Sequence, residues 1–405
     1  MSIGAKPTQQ KSVFSSVFIT VIKILYFPIK IVDAYLIHKR KDIWVFGSNY
    51  GNFYNYNSRY FFEYLSAHNS TKRRELVWLT NSDVVFDHLK MKGLRCYKFF
   101  SIRGIYYSIF SKVRVISDRY NDLPLFSYFF NQNTMIVQLW HGIPIKRIDV
   151  IKLRWLDNFG RIILTTILGR RYDFFLTTTS NSTKFFTDAF QIDENIVKPL
   201  GYPRVDASIS NQSASSILYR KKYGNAKVIL CLPTYRDRGN TFDLFFSDSK
   251  PLSELNRYFN EKNYIMLVKL HNIDLMRFKN ISLKQFSNIK FLESDPTFDI
   301  YFAAAGADIL LTDYSSICLE FSLLKKPVIF LRFDKDNYLT RERELYSVYA
   351  PLNKDAHISS WGDLINILNK NHFPNDNISK FCEMYIGLHD GGASRRIELE
   401  IENNL

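Results

Sequence analysis

The sequence is short of cysteine, has no uninterrupted apolar run of membrane-spanning length, and carries fewer acids than bases. Each shortage excludes something. The four cysteines, Cys96, Cys231, Cys318 and Cys382, lie far apart with neither a CxxC pair nor a Cys/His metal spacing. They read as reduced core residues of a cytosolic protein, not as a disulfide framework or a zinc site. The most apolar stretch, Ser12 to Ile37, is interrupted by charge too often to supply the roughly 20 apolar residues of a spanning helix. No small-residue cleavage site follows it, which argues against a signal peptide. Internal repeats and low-complexity tracts are absent as well.

What is present is a chain of 405 residues, long for one core and comfortable for two α/β domains. Its 46% hydrophobic and 16% aromatic content excludes wholesale disorder. The net charge of +15 implies an anionic partner: a phosphate substrate, nucleic acid or an acidic lipid surface. No RNP-like, zinc-finger or helix-turn-helix signal supports nucleic acid, and that reading is set aside. The charge is uneven, because Met1 to Lys41 holds seven Lys/Arg against one acid, Asp33. On a helical wheel Ser12, Ser16, Thr20, Lys23 and Lys30 share one side, while Phe14, Phe18, Ile19, Val21, Ile22, Leu25 and Tyr26 mostly cover the rest. The expectation is an amphipathic helix, broken or kinked at Pro28, resting on anionic lipid; the alternative is a helix packed on its own domain.

Beyond Lys41, short apolar runs alternate with helix-compatible segments: Asp42–Ser48, Glu75–Thr80, Val113–Asp118, Thr134–Trp140 and Tyr172–Thr179. A second series occupies Ala226–Tyr235, Asn263–His271, Ile289–Ser294, Ala307–Asp313 and Pro327–Leu331. Strands that are continuously apolar belong to parallel sheets covered on both faces. The turn-rich stretch Gly201 to Ser216 reads as a linker between two Rossmann-like halves, with a cleft at the carboxyl ends of both sheets. The expected divisions are 1–41, an amphipathic basic segment; 42–205, a first Rossmann-like domain; 206–380, a second; and 381–405, a helical tail.

Polar residues collect where these strands end. "VQLWHGIPIK" sets His141, Gly142 and Lys146 after one strand, "CLPTYRDRG" sets Thr234, Tyr235 and Arg236 after another, and "LVKLHN" closes a third with Lys269 and His271. "LLTDYSS" closes a fourth, and its Asp313, Ser315 and Ser316 fit either simple helix capping or phosphate binding at a helix N-terminus. Singly, each is as well explained by a core histidine, a snorkelling lysine or a local ion pair. Together they bring two imidazoles, cations and hydroxyls to one sheet edge, which packing alone does not require.

These motifs resemble the CDP-glycerol glycerophosphotransferase family, the teichoic-acid primases and polymerases, and capsule polymerases of the same kind. The resemblance rests on Trp140-His141-Gly142-Ile143-Pro144-Ile145-Lys146, Gly201-Tyr202-Pro203-Arg204-Val205-Asp206 and Pro233-Thr234-Tyr235-Arg236-Asp237. It continues through Lys269-Leu270-His271, Thr312-Asp313-Tyr314-Ser315-Ser316 and Lys326-Pro327-Val328-Ile329-Phe330, with further matches in "YNYNSRYFFEYL" and "LHDGGASRRI". Ile143, Tyr235, Asn272 and Glu320 depart from the threonine, tryptophan, proline and aspartate usual in the family.

The resemblance implies a GT-B architecture, two Rossmann-like domains with the nucleotide mainly on the second. It also implies transfer of glycerol phosphate, or ribitol phosphate, from a CDP-alditol donor to a hydroxyl of a lipid-linked or polymeric acceptor, with release of CMP. A GT-B glycosyltransferase using a nucleotide sugar is the alternative, and the oligomeric state, monomer or homo-oligomer, is left open. In that scheme His141 is the general base, and His271, Lys269 and Arg204 contact the pyrophosphate. Ser315 and Ser316 hold the donor phosphates and Glu320, on the same helical face as Ser316, meets the ribose. Gly142, Ile143, Pro144, Ile145, Thr234, Tyr235, Arg236, Leu270 and Asp313 complete the expected substrate site, with no metal or cofactor.

Overall fold

Continuously apolar strands need cover on both faces, and here they receive it from helices wound on either side of two parallel sheets. The computed structural model describes residues 10–68, 74–148, 172–236, 241–270, 286–293, 295–334, 338 and 345–405. The first sheet contains β1 (Arg40–Phe46), β2 (Glu75–Thr80), β3 (Cys96–Lys98), β4 (Ser111–Ile116), β5 (Met135–Gln138), β6 (Phe174–Thr177) and β7 (Val197–Pro199). The second contains β8 (Lys227–Leu232), β9 (Tyr264–Val268), β10 (Ile289–Phe291), β11 (Ile309–Thr312), β12 (Val328–Leu331) and β13 (His357–Ile358).

Their orders, β3-β2-β1-β4-β5-β6-β7 and β10-β9-β8-β11-β12-β13, repeat one doubly wound pattern. In such a sheet the direction of winding reverses between the first and fourth strands, opening a crevice at their carboxyl ends. Here that point lies between β1 and β4 in one lobe and between β8 and β11 in the other. The pairings Phe46↔Val115 and Thr312↔Leu232 bring the turns that leave each pair of strands side by side. This is the GT-B-like arrangement.

The lobes are not separate cores. One buried cluster runs from Trp44 and Trp78 of the first sheet through Tyr202 to Leu230 and Leu310 of the second. The last helix, Ala393–Asn403, returns to the first lobe, where Arg74 bonds Glu398 at 2.7 Å and lies over the Trp44 ring. Lys198 pairs with Glu400 at 2.9 Å, and Arg396 donates to the Leu200 carbonyl.

The turn-rich stretch after residue 201 forms two helices, Pro203–Ser210 and Gln212–Tyr223, where a linker was expected. Pro203 sits at the first helical position, which has no N–H bond to lose, and tertiary packing overrides the weak helix propensity of Ser and Asn. Likewise the amino-terminal helix, Gln10–Tyr35, continues through Pro28. The hydrogen bond forfeited there involves the carbonyl of Ile24, an exposed residue.

That helix is both packed and bare. Tyr26 donates to the Phe129 carbonyl at 3.0 Å, and Asp33, fully buried, pairs with Lys39 at 3.0 Å and accepts from the Gln132 N–H. Ile24, Leu25, Phe27, Ile31, Val32, Tyr35 and Leu36 are left exposed. Among the described residues no helix is long and apolar enough to cross a membrane.

Candidate functional site

β5 ends at Gln138, whose side-chain oxygen accepts from Trp140 N–H at 2.9 Å and whose amide donates to the Asp118 carbonyl at 3.1 Å. Asn57 tightens the same turn by donating to the carbonyls of Leu139 (3.0 Å) and Trp140 (2.9 Å). His141 comes next, its ring between those of Trp140 and Tyr56, with centroids at 4.1 and 5.1 Å. Its Nδ1 lies 3.1 Å from the Ser117 carbonyl and 3.6 Å from Asp118 Oδ1, and about a third of the side chain is open, at 34%. Burial lowers the imidazole pKa below its ordinary value, and Asp118 and the Ser117 carbonyl offset that only in part. Burial thus favours the neutral ring.

Gly142 has φ +140°, a region that side chains rarely enter, and space is lacking too. A Cβ there would collide with the Arg204 guanidinium and lie 3.0 Å from Ser316 Oγ. The turn after β5 in the first lobe thus touches the turn after β11 in the second. Further on, the Ile145 carbonyl accepts from Tyr346 N–H at 3.1 Å, while Ile143 and Ile145 are buried in the shared core and Pro144 is half-buried.

Asp313 explains much of "LLTDYSS". Its carboxylate accepts from Thr234 N–H (2.9 Å), the Thr234 hydroxyl, Tyr314 N–H (2.6 Å) and Arg236 Nη1 (2.7 Å). Burial alone pushes this carboxyl up, but Arg236, Lys146 and Thr234 outweigh it and hold the pKa below the usual value. Arg236 also grips Asp334 through two bonds at 2.9 and 3.0 Å and lies over the Tyr338 ring, itself stacked on Tyr314 at 3.9 Å. Asp313, Thr234 and Arg236, expected as substrate contacts, are hydrogen-bonded to one another where their strands end. Ser316 occupies the N-cap position of the Ile317–Ser322 helix, yet its hydroxyl makes no capping bond. Capping therefore does not account for it; Ser315 and Ser316 are both half-buried, and Ser316 lies beside the Gly142 turn.

Two further expected site residues lie deeper. Arg204, fully buried, donates to Glu320 and to the His141 carbonyl and lies against the rings of Tyr301 (4.9 Å) and Tyr202 (5.2 Å). Glu320, also buried, spends one oxygen on Arg204. Expected on the pyrophosphate and the ribose, the two are paired with each other, as an ion this deep requires a counter-ion. Lys269 ends β9 and donates to the Glu293 carbonyl at 3.1 Å, Leu270 is a core residue, Tyr235 is half-buried, and His271 lies outside the described residues.

A cavity of about 280 Å³ opens where the two lobes meet, lined by Ile145 on one side and Tyr314, Phe330, Arg332, Ser347 and Asn353 on the other. Arg332, at the end of β12, stacks over Tyr314 at 4.8 Å. Sequence reading passed over it, although a cation directly after the apolar run Val328–Leu331 is the same signal that marked Lys269. Asn57, Asp118 and Asp122 were also missed; Asn57 and Asp122 bond backbone groups of Leu139, Trp140 and Tyr50, remote in sequence, and Asp118 lies beside the His141 ring.

Comparison with known proteins gives a consistent answer. The teichoic acid poly(glycerol phosphate) polymerase of Bacillus spizizenii is 27% identical over 389 residues, 90% of this chain and 93% of that protein. The teichoic acid ribitol-phosphate primase of the same organism is 26% identical over 319 residues, 73% of this chain and 75% of that protein. The structure of the wall teichoic acid polymerase TagF superposes with a TM-score of 0.72 at 20% identity, over 99% of this chain and 98% of that one, which establishes the shared fold. The profile of the CDP-Glycerol:Poly(glycerophosphate) glycerophosphotransferase family spans residues 30–403, and the chain belongs to that family of transferases.

Proposed function

We propose that the chain moves glycerol phosphate or ribitol phosphate from a CDP-alditol to a hydroxyl on a lipid-linked or polymeric acceptor, with His141 as general base. The observation that carries this reading is the meeting of the His141–Gly142 turn with Ser316 across the lobes. A base from one lobe thereby faces a hydroxyl-bearing turn of the other. The acceptor O–H gives its proton to Nε2, the freed oxygen bonds the β-phosphorus, and the bond from that phosphorus to the bridging oxygen breaks to release CMP. Ser315, Ser316 and Lys269 suit the diphosphate. The cavity beside Tyr314 and Arg332 is near the lower limit for a small-molecule pocket and suits the cytidine portion alone.

The purified protein, given an acceptor and CDP-glycerol, CDP-ribitol or UDP-sugars in parallel, is expected to release CMP from a CDP-alditol. Release of UDP from a UDP-sugar with none of CMP would replace the proposal with glycosyl transfer.

The apolar outer face of the amino-terminal helix, with exposed Lys23 and Lys30 beside it, suits the anionic inner surface of the cell membrane. The acceptor would be met there. Replacing Leu25 and Phe27, both more than half exposed at 70% and 61%, by Asp is expected to cut flotation with anionic vesicles at least about tenfold while leaving the thermal midpoint unchanged. Equal flotation of variant and parent would remove the membrane from the account.

A further inference from the structure

The turn after β4 is held more firmly than a connecting loop requires. The buried Asp122 carboxylate accepts from Ser117 N–H (2.9 Å), Asp118 N–H (2.7 Å) and Tyr50 N–H (3.1 Å). Ser117 Oγ meets Ser58 N–H at 2.8 Å and Ser58 Oγ at 2.7 Å, and Gln138 donates to the Asp118 carbonyl. This scaffold presents one carbonyl and one carboxylate outward, and both face His141 Nδ1.

A carbonyl only accepts, so the proton of the neutral imidazole sits on Nδ1 and the lone pair on Nε2. Among the described residues, His141 is the one basic side chain within ion-pair distance of Asp118. The charged groups facing the ring are Asp118, which favours its protonated form, and Arg204 and Arg119, which disfavour it. Asp122 stands behind Asp118, and burial together with the Asp118 charge pushes its carboxyl up to about 7.

We propose that Asp118 is a positioning residue: with the Ser117 carbonyl it fixes the Nδ1–H tautomer of His141, and its charge stabilises the imidazolium that forms as Nε2 takes the acceptor proton. The inference rests on the reading of His141 as the base. Atoms balance without a further reactant, since the proton leaves the acceptor oxygen, resides on Nε2 through bond exchange at phosphorus, and passes to solvent after CMP departs.

The test compares Asp118→Asn and Asp118→Glu with the parent in CMP release across pH. The His141 ring is titrated by NMR alongside, its resonance assigned by loss in His141→Gln. In Asp118→Asn kcat is expected to fall by about 10²-fold with KM for the CDP-alditol within about threefold. Removing a negative charge beside the ring lowers its pKa, so the NMR titration and the acidic limb of the kcat profile move together to lower pH. Asp118→Glu, which retains the charge, restores at least about tenfold of the lost rate. An unmoved ring titration, or a moved titration with kcat within about threefold, overturns the proposal. Full turnover in His141→Gln instead overturns the base assignment, and the two failures are told apart. A purely structural role would lower the thermal midpoint and leave the ring titration where it was.

Discussion

His141→Ala should lower CMP release from the CDP-alditol by about 10²-fold or more, with circular dichroism and thermal midpoint as in the parent. The expectation comes from where the ring is held. Its Nδ1 is occupied by the Ser117 carbonyl, its faces are lined by Trp140 and Tyr56, and a third of the side chain remains open at the crevice. A ring with one nitrogen committed and the other open is suited to proton removal, and burial favours its unprotonated form. Asn57, Gln138 and Arg204 fix the turn through backbone groups that a change of the imidazole leaves in place. Loss of rate should therefore come without loss of fold. Turnover within about threefold of the parent would show that another group takes the proton.

Removing Arg204 should be the most destabilising single change in the crevice. Arg204→Met leaves Glu320 buried without a counter-ion, and Glu320→Leu leaves the guanidinium in the same position; each is expected to cost about 3–5 kcal/mol in urea denaturation. Glu320 shows the sign of the effect: burial raises its pKa, and Arg204 brings it back only in part. Without Arg204 the carboxyl takes up a proton to avoid the buried charge, which also withdraws the anchor from the His141 carbonyl. The double variant Arg204→Met/Glu320→Leu should be markedly more stable than the sum of the singles, since two apolar groups of similar volume leave no orphaned charge. Additive losses, or single losses under about 1 kcal/mol, would mean the lobes are joined by their common apolar core alone.

The sheet pattern was legible because both sheets are covered on two faces, so their central strands carry unbroken apolar runs such as Ile43–Phe46 and Ile309–Leu311. β3, β7 and β13 were not: they span three, three and two residues, lie at or next to sheet edges, and contain too few apolar positions to register as runs. Helix Pro203–Ser210 was misread from its turn-forming residues, because it is stabilised by contact with helices Tyr56–His68 and Ile300–Gly306, which composition does not show.

The site divides in the same way. The strand-end motifs pointed to the carboxyl edge of each sheet, and the structure brings the His141–Gly142 turn and Ser316 together at that edge. Motifs did not reveal that Asp313 is saturated by Thr234 and Arg236, or that Arg204 faces inward to Glu320. A residue that touches ligand and one that holds a ligand-touching turn carry the same letters. Only the third dimension separates them: Asp122 works on backbone groups and Asp118 lies beside the His141 ring, and neither leaves a spacing to read.

In the proposed membrane contact, the buried pair Asp33–Lys39 would set how the enzyme meets the surface. Because Asp33 is pinned on one flank, the helix cannot roll about its axis, and the bare side always points the same way relative to β4 and β5. A bilayer touching that side would hold the catalytic lobe at a set height and tilt, as a bracket holds a shelf. Acceptor chains would then be selected by how far they stand off the lipid, and the distance at which growth begins would be written into the angle of one helix.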